Sequence, residues 1–219
     1  MKHNRLKQFF QDFYLALILL FLYIPIVTMI VLSFNNTKSR TVWGGFTTRW
    51  YTQMFQDSAI MNALNNTLLI AFASALIATV IGTIAAIGIN SMKRIPRTIV
   101  MGINNIPMLN SDIVTGISLM LLFVAYQRFA TQSAWLPDNI MGLPTLLIAH
   151  IAFNVPYVIF NVSPKLKQLD IKLYEAALDL GCDPRQAFFK VILPEISPAI
   201  LSAFLICLTY SIDDFMISY

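Results

Sequence analysis

The chain has 219 residues, 57% of them hydrophobic and only 12% charged, about half the usual globular share of roughly 25%. Its mean hydropathy of +0.68 leaves too little polar surface for a soluble domain, which excludes a cytosolic enzyme, a disordered tail and a disulfide scaffold. The net charge of +4 does not point to nucleic acid, because most basic residues flank apolar runs.

What remains is an all-α polytopic membrane protein with the lipid bilayer as its solvent. A hydrocarbon core of about 30 Å needs roughly 20 apolar residues per helix. Residues 1–12 form a tail with Lys2, Arg5 and Lys7, followed by a first apolar run over 13–34. A secretory signal core is only about 7–15 residues long, so this run is expected to be an uncleaved first transmembrane helix. The second span, 64–89, is rich in Ala, Gly, Ser and Thr. Small residues let helix backbones approach closely in lipid, which predicts a helix packed inside a bundle. The third, 99–126, is interrupted by Asn104, Asn105, Pro107, Asn110, Ser111 and Asp112. The fourth, 143–162, carries His150, Asn154 and Pro156, and the fifth, 197–219, carries Asp213 and Asp214 late in its length. Residues 13–219 thus read as one transmembrane domain of five visible spans.

The connecting segments set the orientation through their Lys and Arg. The amino-terminal tail, the 93–97 turn and the 164–194 segment hold eleven of the fifteen basic residues. That distribution predicts a cytoplasmic amino terminus and a fifth helix running outward.

The 164–194 segment predicts a helical hairpin. Ala and Glu favour a helix through Glu175-Ala176-Ala177, and Gly181 falls where a left-handed cap belongs. Asp183 reads as an N-cap, Pro184 as the first helical residue, and Gln186 as the partner of a capping box. Phe188, Val191 and Ile192 share a face, and Pro194 is expected to end the helix before the membrane. By spacing alone this could equally be an amphipathic hairpin on the lipid surface.

Glu175-Ala176-Ala177, Gly181 and the closing Val191-Ile192-Leu193-Pro194 resemble the EAA motif of ABC importer permeases. Phe46-Thr47-Thr48-Arg49-Trp50-Tyr51, Ser111-Asp112-Ile113-Val114 and the stretch from Ser211 through Asp213 and Asp214 to Ser218 are similar to the permeases of spermidine/putrescine importers. The likeness to the second permease subunit of that system runs from about Tyr23 to the last residue. The resemblance implies a six-helix bundle, so a sixth helix is expected to be missing here, as in a fragment or a truncated gene. It also implies that the hairpin docks on an ATPase subunit, with a second permease subunit and an extracellular or periplasmic solute-binding protein as further partners. The expected site is the bacterial cell membrane.

No P-loop is present, so ATP hydrolysis would belong to a separate subunit. Cys182 and Cys207 form no metal spacing, and no metal or cofactor is expected. With His3 and His150 the only histidines, and no protease motif, the chain is not expected to be an enzyme.

Acids inside lipid usually face a cavity or a partner. At about 1.5 Å per residue, Asp112 and Asp213 would lie roughly 20 and 24 Å from the cytoplasmic ends of their helices. They suggest a carboxylate-lined path for a polyamine, since no Lys or Arg lies inside the five spans. The competing reading makes Asp112 a helix cap, leaves Asp213 and Asp214 wet at the headgroups, and makes His150 a satisfied bundle histidine. Trp50 reads either as an interfacial anchor or as an entry contact for amines. The expectation is alternating-access import of spermidine or putrescine. A permease for another solute, a nonfunctional truncated permease and a stand-alone ion-coupled carrier remain the alternatives.

Overall fold

The computed structural model describes residues 2–39, 41–131 and 142–214, with the side chains of 2–9 and 112 outside that description. Among these residues the chain is helical without a strand, apart from a single bridge between Asn35 and Phe46. Five helical stretches are long and apolar enough to cross a membrane: Phe10–Ser33, Ser58–Ser91, Ile113–Thr131, Leu143–Gln168 and Pro184–Asp213. Two compact units divide the chain at Leu64.

The first unit holds α1 (Lys2–Ser33) and α2 (Arg49–Gln56). From Phe10 to Val31 every α1 side chain is exposed, and from Phe13 onward the helix is apolar on all sides, as a membrane span is. The connection to α2 is organised by Asn35, which is 1% exposed. Its Nδ2 donates to the carbonyls of Ser39 and Val42, and its Oδ1 accepts from the amides of Thr37 and Gly44. One buried amide thereby satisfies the backbone of a loop that forms no ladder of its own.

The second unit takes in most of α3 (Ser58–Ser91), then α4 (Arg94–Leu109), α5 (Asp112–Thr131) and α6 (Leu143–Gln168). It continues with α7 (Ile171–Asp179), α8 (Pro184–Ala187), a π-turn (Phe188–Ile192) and α9 (Leu193–Asp213). The small-residue stripe of α3 is its buried face: Ala71, Ser74, Ala75, Ala78, Gly82 and Ala86 recur at helical spacing. The most extensive helix pairing is α6 with α9. Around it the core gathers Ala75, Ala86, Val158, Val162, Ile196 and Ala203.

The third and fourth spans differ from the sequence expectation. The 99–126 run is two helices, α4 and α5, separated at Asn110–Ser111. Pro107 removes an amide from the last turn of α4, and Asn110 is extended at φ −78°, ψ 151°, so the chain must restart its helix. α6 continues past residue 162 to Gln168. Lys165 and Lys167 in its last turn suit the negative end of the helix dipole. Of the expected 197–219 span, residues 215–219 lie outside the described residues.

Pro194 also does not end a helix. The chain stays helical from Pro184 to Asp213, with Pro194 in the first turn of α9. A proline there would clash with the carbonyl four residues back in an unbroken α-helix. The π-turn relieves this: the Leu193 amide bonds to the Phe188 carbonyl, five residues back, which widens the helix just before the ring.

Candidate functional site

Two regions of the second unit carry most of the sequence-predicted residues. The first is the hairpin between α6 and α9. Gly181 has φ +88°, a conformation that favours glycine. The Gly181 amide donates to the Leu178 carbonyl at 2.9 Å and the Cys182 amide to the Ala177 carbonyl at 3.1 Å, the paired bonds of a Schellman cap. Asp183 takes the N-cap position of α8 with extended backbone, but its side chain makes no capping bond, so the expected box with Gln186 does not form. Only four α-helical residues follow before the π-turn.

α7 packs on α8 and on the π-turn, with Ala177 and Ala187 as the buried residues of the two arms. Glu175, Ala176, Gly181 and Pro194 are exposed. Leu193 is half-buried and packs against the core. Asp170 caps α7 by accepting from the Lys172 amide at 3.0 Å. Lys165 near the end of α6 meets Glu195 in the first turn of α9 at 2.7 Å.

The second region lies at the other end of the α6–α9 pair, which runs antiparallel. Here Asn154 of α6, fully buried, donates from Nδ2 to Ser211 Oγ at 2.8 Å. Ser211 Oγ lies 3.2 Å from Ser74 Oγ of α3. The Ser74 hydroxyl donates to the Ala71 carbonyl at 3.1 Å. Because that uses the one proton of Ser74, the Ser211 hydroxyl donates to Ser74. The chain of donors therefore runs α6 to α9 to α3. One helical turn along, His150 is buried, 2% exposed. Beside this end lie two tilted ring pairs, Phe153–Tyr157 at 5.4 Å and Tyr157–Tyr210 at 4.8 Å.

Asp213 is the last residue of α9 and exposed, and Asp214 is half-buried at the cap. Asp112 opens α5 with its side chain outside the described residues. In the first unit, Trp50 donates its indole N–H to the Asn35 carbonyl at 2.8 Å, and the Arg49 guanidinium stands 4.8 Å above its ring. Trp50 thus closes the Asn35 loop, and one face already holds a cation. The sequence marks Asn154 as a polar residue of its span and Ser211 within a stretch of family likeness, but not the link that joins them to each other and to Ser74.

Residues 78–219 match the family model described as a binding-protein-dependent transport system inner membrane component. The chain is 39% identical to the putrescine transport system permease protein PotI of Escherichia coli (strain K12), over 90% of this chain and 69% of that protein. It is 34% identical to the spermidine/putrescine transport system permease protein PotC of the same strain, over 94% of this chain and 74% of that protein. Among solved structures, a bacterial ABC transporter involved in the import of the acidic polysaccharide alginate superposes with a TM-score of 0.72 at 18% identity, covering 96% of this chain and 77% of that one. That likeness shares the fold alone. The helices and the family place the protein in the cytoplasmic membrane as a multi-pass transport component rather than an enzyme. The chain belongs to the family of inner-membrane components of binding-protein-dependent transport systems.

Proposed function

We propose that this chain translocates polyamines, spermidine or putrescine, as one permease subunit of an ATP-driven importer. Its partners are a second permease subunit, a pair of ABC ATPase subunits and a solute-binding protein. The amino terminus lies in the cytoplasm, on the side where the basic residues concentrate. The hairpin docks on the ATPase there through Glu175, Ala176, Ala177 and Gly181, with Leu193 and Pro194 joining it to α9. Closure of the ATPases moves the hairpin and rocks the bundle between inward and outward access. Asp112, Asp213 and Asp214 compensate the ammonium groups of the substrate, and Trp50 supports the outer entrance.

One observation carries the substrate class: the PotI and PotC relatives, matched over nine-tenths or more of this chain, are both named as polyamine permeases. The carboxylates at the end of α9 agree with a cationic cargo. The test is uptake of radiolabelled putrescine and spermidine into vesicles containing the assembled transporter, with and without ATP. ATP-dependent uptake of either amine is expected; uptake of neither, by a complex that hydrolyses ATP in response to its binding protein, would overturn the assignment.

A further inference from the structure

The acidic residues Asp213 and Asp214 stand two and three positions beyond Ser211, and Ser211 ties the last turn of α9 by hydrogen bonds to both α6 and α3. The donor order found above begins at the Asn154 amide and ends on the α3 backbone at Ala71. Asn154 also offers its own carbonyl to the Cys207 thiol at 3.7 Å, one turn before Ser211 on α9. A single buried side chain and its backbone thus hold two successive turns of α9.

Ala203 and Cys207 bury one face of α9 in the core and Tyr210 meets Tyr157, while Leu201, Leu205 and Ile212 face outward. The polar rung adds to this packing a directional constraint on the last turn. In an apolar medium a buried donor chain has few competing partners, which makes its geometry specific. Turning α9 by one residue, about 100°, would remove Ser211 from Asn154 and carry Asp213 and Asp214 round with it.

We propose that Asn154 is a positioning residue for the substrate path: through Ser211 and Ser74 it sets the rotation of the last turn of α9, and hence where Asp213 and Asp214 stand. The proposal rests on the polyamine reading for its consequence in transport, but not for its structural content. Asn154 touches no substrate; it acts through Ser211.

The experiment uses the assembled transporter in membranes, with a nitroxide attached through Ile212→Cys in a Cys182→Ser background. Asn154→Ala and Ser211→Ala are compared with the exchange Asn154→Ser plus Ser211→Asn, which restores one amide and one hydroxyl across the pair. Both single variants are expected to add a mobile component to the line shape at 212, and the exchange to remove it. The apparent KM for putrescine should rise about 10-fold in the single variants, the effect of one lost buried hydrogen bond, with Vmax near that of the parent. The exchange should recover most of it. A line shape at 212 unchanged by Asn154→Ala overturns the proposal. So does a loss confined to the yield of assembled complex, with KM unaltered, since that marks a rung that only stabilises. If the parent transporter takes up no amine, the polyamine reading fails, and the line shape still decides the positioning of α9.

Discussion

Gly82 of α3 faces Val158 of α6 so closely that a β-carbon on Gly82 would lie 2.6 Å from the Val158 Cβ and 3.3 Å from the Val155 carbonyl oxygen. Val158 is fully buried, so neither helix can yield by turning a side chain outward. The small-residue stripe of α3 is therefore a requirement of backbone approach, and dispersion between the two helices replaces the hydrophobic force that lipid removes.

Gly82→Ala should destabilise the bundle by about 1–3 kcal/mol, the usual cost of overpacking. Adding Val158→Ala should recover part of that loss by making room at the point of collision. Thermal unfolding of the purified complex in detergent measures both. A Gly82→Ala protein as stable as the parent would show that α3 and α6 stand further apart than described.

At Gly181 the obstacle is backbone conformation and not space, since nothing lies within 4 Å of an added β-carbon. With φ at +88°, Gly181→Val should cost more than about 1 kcal/mol and open the Schellman cap. Gly181→Asn should cost less, because Asn tolerates this region. Co-purification of the ATPase with each variant reports whether the hairpin remains a docking element. Equal yields for Val and Asn would remove the cap from the coupling role proposed for it.

The Lys165–Glu195 pair joins α6 to α9 at the hairpin end, but its side chains are 34% and 49% exposed. Lys165→Ala should therefore shift stability by less than about 1 kcal/mol. The small shift should shrink further as salt is raised. A larger, salt-independent loss would mean that the pair is buried in the assembled transporter.

Local chemistry made some of this legible before any coordinates. The turn at Gly181, the first-turn position of Pro184 and the small-residue face of α3 each depend on residues within a turn or two of one another. The π-turn was hidden because Pro194 read as a terminator, whereas five-residue hydrogen bonding carries the helix past it. The rung through Asn154, Ser211 and Ser74 was hidden for a different reason. Ser74 and Ser211 are 137 residues apart, and nothing local distinguishes a polar residue that faces a cavity from one that meets another helix. Asn35 is the same case in miniature: it sits in a polar run, yet is the buried centre of its loop. Asp213 and Asp214 look equivalent in the sequence, whereas the helix ends between them, leaving Asp213 exposed as its last residue and Asp214 half-buried at the cap.

Asp213 offers the sharpest separation of transport from stability. It is the last residue of α9, where the helix dipole is negative, so its charge is unfavourable to the helix it ends. Asp213→Asn should leave stability unchanged or raise it by about 0.3–1 kcal/mol. Asp112 is the reverse case, an acid at the first position of α5, and Asp112→Asn should lower stability by about the same amount. If both acids contact ammonium groups in the path, each variant should lose about 1.5–3 kcal/mol of charge-assisted hydrogen bonding to substrate, or roughly 10- to 100-fold in amine uptake. Opposite effects on stability with the same loss of uptake would identify the carboxylates as substrate contacts, because no common structural defect produces that pattern. Uptake within about twofold of the parent for both variants, well under the loss of a charged hydrogen bond, would leave the acids as headgroup-level and capping residues, and the hairpin yield measured in parallel would confirm that assembly was intact.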